Sequence, residues 1–154
     1  MFMDFGVFLF TVALFYYAIL MLADQWGSAI EQSIAKKEQP SGILVFLKKG
    51  ADLFTQPKVR QISGFVAFFL ALWNFFAPDF GSFGNITVIG ALIPCLILFI
   101  DSLLLTPELL DWIQLPDSWK EKILGFTSYF SLTSGWLTLI IAVLHMIFHE
   151  LPFL

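Results

Sequence analysis

A chain of 154 residues with 58% hydrophobic side chains, 13% charged ones and a mean hydropathy of +0.85 lies far from the soluble average of about 25% charged. That balance excludes a separate soluble globular domain and predicts an all-α integral membrane protein, with residues 1–154 forming one transmembrane domain. The formal charge of −4 says less than the position of each charge, and the lone Cys95 excludes an internal disulfide and any four-cysteine metal site.

About 20 apolar residues in a helix, rising 1.5 Å each, cross a bilayer core. Four stretches read as spans, at roughly 2–23, 62–77, 86–105 and 123–148, so the expectation is a four-pass helix bundle. The first stretch has no basic residue before it and no small-residue cleavage pattern after it, and it reads as a retained helix. It ends with Tyr16 and Tyr17 toward one interface, where an aromatic ring is buried and its hydroxyl stays wet. Beyond Ala23, Trp26, Ile30 and Ile34 recur every fourth residue among polar ones, which extends the helix until Pro40 stops it.

Residues 41–54 are too short to span. Ile43 to Leu47 followed by Lys48 and Lys49 reads as an interfacial segment on the inner leaflet, or as a short helix across the mouth of the bundle. In the second span Gly64, Ala67, Ala71 and Asn74 share an arc, and small side chains there mark a packing face. The turn through Pro78 and Gly81 makes spans two and three antiparallel neighbours. The third span repeats the pattern with Thr87, Gly90, Ala91, Pro94, Leu98 and Asp101 on one face, and Pro94 is expected to kink it near its middle. Thr106-Pro107-Glu108 reads as a cap with proline at the first helical position, opening a second interfacial segment at 107–115. A faint echo links Pro57 and Ile62-Ser63-Gly64-Phe65 with Pro116 and Ile123-Leu124-Gly125-Phe126.

The fourth stretch carries the sharpest pattern. At roughly 100° per residue, Thr127, Ser131, Ser134, Thr138, His145 and His149 fall within one arc, opposite Tyr129, Trp136 and Ile140. Such a polar face needs protein, water or a ligand beside it. Asp101, about five residues from its span's inner end, is expected to meet Thr127, Ser128 or Ser131, with Arg60 or Lys122 reaching toward it. As a carboxyl within a span it is either a packing hydrogen bond or a proton or cation site.

His145 and His149, four residues apart, suit one metal ion, with Asp4, Asp79 and Glu150 at similar depth, or a pigment. A bis-histidine haem is excluded within one protomer. No hydrolase, phosphate-loop or dinucleotide signature is present, and no cofactor is specified. Acids interleaved with the basic residues argue against a nucleic-acid partner.

All eight basic residues fall in two connections: Lys36, Lys37, Lys48, Lys49, Lys58 and Arg60 in the first, Lys120 and Lys122 in the second. By the positive-inside rule this puts both connections in the cytoplasm and both termini outside, in a bacterial cytoplasmic membrane. The first six also form a basic patch at the membrane surface. The functional expectation is a small non-catalytic subunit that packs within a larger membrane complex, in contact with lipids and other integral subunits. The alternatives are a transporter or proton- or ion-conducting protein using Asp101 and the polar face of the fourth helix, and a membrane enzyme with a histidine-bound metal at the outer face.

Overall fold

The structure, a computed structural model, describes residues 5–37, 39–77, 91–112, 114–131 and 133–148. The regular elements among these residues are all helices, joined by turns: α1 (Phe5–Met21), α2 (Ala23–Ala35), α3 (Gly42–Phe54), α4 (Pro57–Phe76), α5 (Leu92–Leu105), α6 (Leu109–Trp112), α7 (Asp117–Ser128) and α8 (Ser134–Phe148).

Local chemistry sets several of these boundaries. Ser41 caps α3, its hydroxyl accepting from the Leu44 N–H, and Pro57 opens α4 where a missing N–H costs no helical bond. Two antiparallel pairings then build the core. In the first, α4 lies on α5, with Gly64 against Thr106 and Phe68 against Phe99. In the second, α1 lies on α8, with Met21 against Gly135 and Phe10 against His145. The side chains of Phe10, Tyr17, Leu20, Ala67, Ala71, Cys95 and Leu98 join the two pairs into one apolar cluster. The small residues Gly64, Ala67 and Ala71 and the amide of Asn74 are all buried on α4, so the arc read from the sequence is a buried face. Of its counterpart, Ala91, Pro94, Leu98 and Asp101 are buried, while Thr87 and Gly90 lie outside the described residues.

The expected four-pass bundle is not what the described residues form. Among the described residues only Pro57–Phe76 is long and apolar enough to cross a membrane, and the total there reaches two if the pair Phe5–Met21 and Ala23–Ala35, bent by 57° at Leu22, counts as one broken span. The 123–148 stretch divides: α7 ends at Ser128 and a run of turns separates it from α8. At 1.5 Å per residue, the 15 residues of α8 reach about 22 Å, short of a core about 30 Å thick. α5, with 14 residues, is shorter still. The placement of both termini outside rested on four crossings and falls with them.

Three local expectations also change. Pro94 produces no kink, because α5 starts at Leu92 and the proline sits in the first turn, where N–H groups have no acceptor within the helix. Thr106 is not a cap: its hydroxyl donates to the Gln61 carbonyl at 2.9 Å, tying α5 to α4. Tyr17 is fully buried and donates to the Ser63 carbonyl at 2.9 Å, so its hydroxyl is not held in water. The two Ile-x-Gly-Phe runs differ in their surroundings: Gly64 is pressed against Thr106, whereas Gly125 has open space around it.

α3 packs on α2 rather than across a bundle mouth. Gly27 meets Ala51, and a Cβ at residue 27 would stand 2.9 Å from the alanine's. Lys48 joins the two helices through Glu31 at 3.0 Å and also pairs with Asp52 at 3.0 Å. The outward face of α3 stays open, with Ile43 72% and Phe46 74% exposed.

Candidate functional site

Asp101 of α5 has no exposed surface and faces α8. Its Oδ1 accepts from the Ser134 hydroxyl, and its Oδ2 lies 2.6 Å from Thr138 Oγ1. The same Thr138 oxygen is 2.9 Å from the Ser134 carbonyl one turn back on its own helix. Ser134 and Thr138 are themselves fully buried. Burying a carboxyl is costly unless its oxygens are hydrogen-bonded, and these two hydroxyls meet that need.

Asp101 therefore does not meet Thr127, Ser128 or Ser131. Thr127 donates to the Leu124 carbonyl of its own helix at 3.2 Å, Ser128 to the Gly125 carbonyl at 2.7 Å, and Ser131 is exposed. The break between α7 and α8 explains the difference, since it shifts the register of everything after Ser128 and leaves Ser134, Thr138, Ala142 and His145 as the buried stripe of α8. Neither basic residue expected near Asp101 is there. Arg60 pairs with Asp24 at 3.0 Å, and the Lys122 ammonium lies 5.7 Å from the centre of the Trp119 ring.

His145 is buried edge-on to Phe10, ring centres 5.4 Å apart at 81°. Its expected companions His149, Glu150, Asp79 and Asp4 lie outside the described residues, and among the described residues no three His, Cys, Asp or Glu side chains are grouped to hold a metal ion.

The basic patch is divided by its own acids. Lys48 is tied to Asp52 and Glu31, and Arg60 to Asp24. Hydrogen bonding to Asp52, and next to Glu31, raises the Lys48 pKa, as bonding to Asp111 raises that of Lys120. Lys36, Lys37, Lys49 and Lys58 make no ion pair among the described residues, so they remain open to an external anion.

The sequence reading missed the contacts that lock the helices together: Tyr17 to Ser63, Thr106 to Gln61, and the Trp136 indole to Gln25 at 3.0 Å. The break before α8 did carry a signal, the hydroxyl-rich Ser131, Thr133 and Ser134 followed by Gly135, which is turn chemistry.

A protein-family model of unknown function matches residues 3–145. Neither a curated protein nor a solved structure matches the chain.

Proposed function

We propose that this chain, which belongs to the family whose model spans residues 3–145, is a non-catalytic, membrane-anchored subunit that presents α4 to lipid and to another integral membrane protein. The observation that carries this reading is the outer face of α4. A core helix of a soluble protein is mostly buried, whereas only 28% of the apolar window of α4 is. Val66, Phe69, Leu72, Trp73 and Phe76 stand open along it, Phe76 at 80% exposure, around an apolar recess of about 700 Å³. An apolar face of this extent calls for a non-aqueous environment or a partner. A subunit role is further supported by the dense interior seams, which organise the chain around packing rather than around a reactive group.

The conducting alternative has one supporting feature, the buried carboxyl of Asp101. Its polar path is weaker, because Ser131 lies on the surface and Thr127 bonds within its own helix.

Two measurements test the proposal. Membranes from expressing cells, washed with alkaline carbonate, should retain the chain, and a photo-crosslinking residue at Phe69 should join it to one integral membrane protein that co-purifies in equal amount. Release by carbonate would remove the membrane anchor. Adducts formed only with lipid would remove the subunit role.

A further inference from the structure

The hydrogen count around Asp101 points beyond packing. Thr138 has one hydroxyl hydrogen and two acceptors in range, Asp101 Oδ2 at 2.6 Å and the Ser134 carbonyl at 2.9 Å. An ionised Asp101 would take that hydrogen and leave the 2.9 Å contact with the Ser134 carbonyl without one. It would also set a full charge, with no exposed surface, against two neutral hydroxyls, since no ion pair among the described residues involves Asp101. Isolated buried charge is strongly disfavoured, and such a group neutralises instead.

One added proton resolves both problems. With hydrogen on Oδ2, Asp101 donates to Thr138 Oγ1, Thr138 donates to the Ser134 carbonyl, and Ser134 Oγ donates to Asp101 Oδ1. Each hydrogen then has one acceptor, and the ring closes between α5 and α8. We propose that Asp101 is a resident proton site: a neutral carboxylic acid whose Oδ2 hydrogen is held by Thr138.

The other titratable groups around it fit this assignment. On α1, Tyr17 is the ionisable neighbour, and its hydroxyl donates to Ser63. On α5 itself the buried thiol is Cys95, and on α8 the buried imidazole is His145, seven residues beyond Thr138 beside Phe10. The buried residues of α4 and α7 include no titratable side chain. The proton therefore supplies the hydrogen that no basic group supplies as a charge. It also makes the α5–α8 contact depend on pH. The folded state binds a proton that an exposed aspartate releases, so stability is present at low pH and declines as pH rises through the site's own ionisation.

Infrared spectroscopy of the purified full chain, labelled with ¹³C at the aspartate carboxyl, tests it directly. At about pH 5, above the ordinary aspartate value of about 3.9 and below the value of about 6 to which burial raises the Asp101 carboxyl, the folded protein should show a label-sensitive carboxylic acid C=O band. Asp101→Asn should remove the band yet keep the fold, since its amide N–H replaces the acid O–H as donor to Thr138. Thr138→Val should shift the band by removing the acceptor, and Thr138→Ser should restore it. No acid band in the folded wild type at that pH would overturn the assignment, as would a band that survives Asp101→Asn or one that Thr138→Val leaves in place. Should Asp101→Asn fail to fold, the wild-type band and its response to Thr138→Val still decide the matter.

Discussion

Gly64 lies so close to Thr106 that a Cβ added at residue 64 would stand 2.8 Å from the threonine Cβ, and the threonine side chain is fixed there by its bond to the Gln61 carbonyl. Neither partner can move aside without losing that bond. Gly64→Ala should therefore force α4 and α5 apart and destabilise by about 1 to 3 kcal/mol, the scale of overpacking a close contact. Gly125→Ala is the matched control, because no atom lies within 4 Å of its added Cβ and alanine is the better helix former by about 1 kcal/mol. Thermal unfolding in detergent should lower the midpoint for the first and keep or raise it for the second. Equal effects would remove the α4–α5 seam as the reason for glycine at 64.

Ser134 and Trp136 sit two residues apart on opposite sides of α8. Ser134 is buried against Asp101, and Trp136 is exposed with its indole on Gln25. Ser134→Leu should cost more than about 2 kcal/mol, since it adds bulk to a closed space and strips a buried carboxyl of a partner. Trp136→Leu should cost about 0.5 to 1 kcal/mol, the value of one partly exposed hydrogen bond. Denaturant unfolding of the two variants checks the order, and a larger loss at Trp136 would mean that this face is buried in the folded protein.

The buried arcs were legible because they are periodic and local. Gly64, Ala67, Ala71 and Asn74 on one helix, and Ser134, Thr138 and His145 on another, recur at helical spacing, and the structure buries all of them. Asp101 stood out for a similar reason, as a lone carboxyl in an apolar run. Its partners did not, because they depend on where α8 begins. Hydropathy runs on unbroken from 123 to 148 while the backbone turns after Ser128, so an average over the window cannot register the break. Charge pairing across the chain was equally hidden: Arg60 meets Asp24, 36 residues away, and no periodicity within one helix reports that distance.

Pro94 offers a test of the helix start. In mid-helix a proline removes a backbone bond and costs about 3 kcal/mol relative to alanine, so Pro94→Ala would stabilise a helix that ran through it. Placed in the first turn of α5, it removes no bond, and its fixed φ lowers the entropy of the unfolded chain. Pro94→Ala should then lower stability slightly, by up to about 1 kcal/mol. A gain of several kcal/mol in equilibrium unfolding would place Pro94 within a longer helix.

The open face of α3 supplies the last prediction. Ile43, Phe46 and Leu53 are exposed on a helix whose opposite side rests on α2, and α4 begins three residues after α3 ends. Lys49 on α3 and Lys58 in the first turn of α4 make no ion pair among the described residues, while Lys48 is already held by Glu31 and Asp52. On the proposed membrane-anchored reading, a helix with this division is expected in the membrane interface, its apolar side among acyl chains and its lysines at anionic headgroups. With the protein reconstituted in vesicles containing phosphatidylglycerol, a nitroxide at residue 46 in a Cys95→Ser background should be relaxed by oxygen and shielded from a water-soluble nickel chelate. One at residue 52, on the polar side, should show the reverse. Lys49→Glu with Lys58→Glu should raise chelate access at residue 46, and Lys48→Ala should change it less, because that charge is neutralised within the fold. Full access of the nickel chelate to residue 46 in the unmodified sequence would mean that α3 stands in water, and its apolar face would then need a protein to cover it.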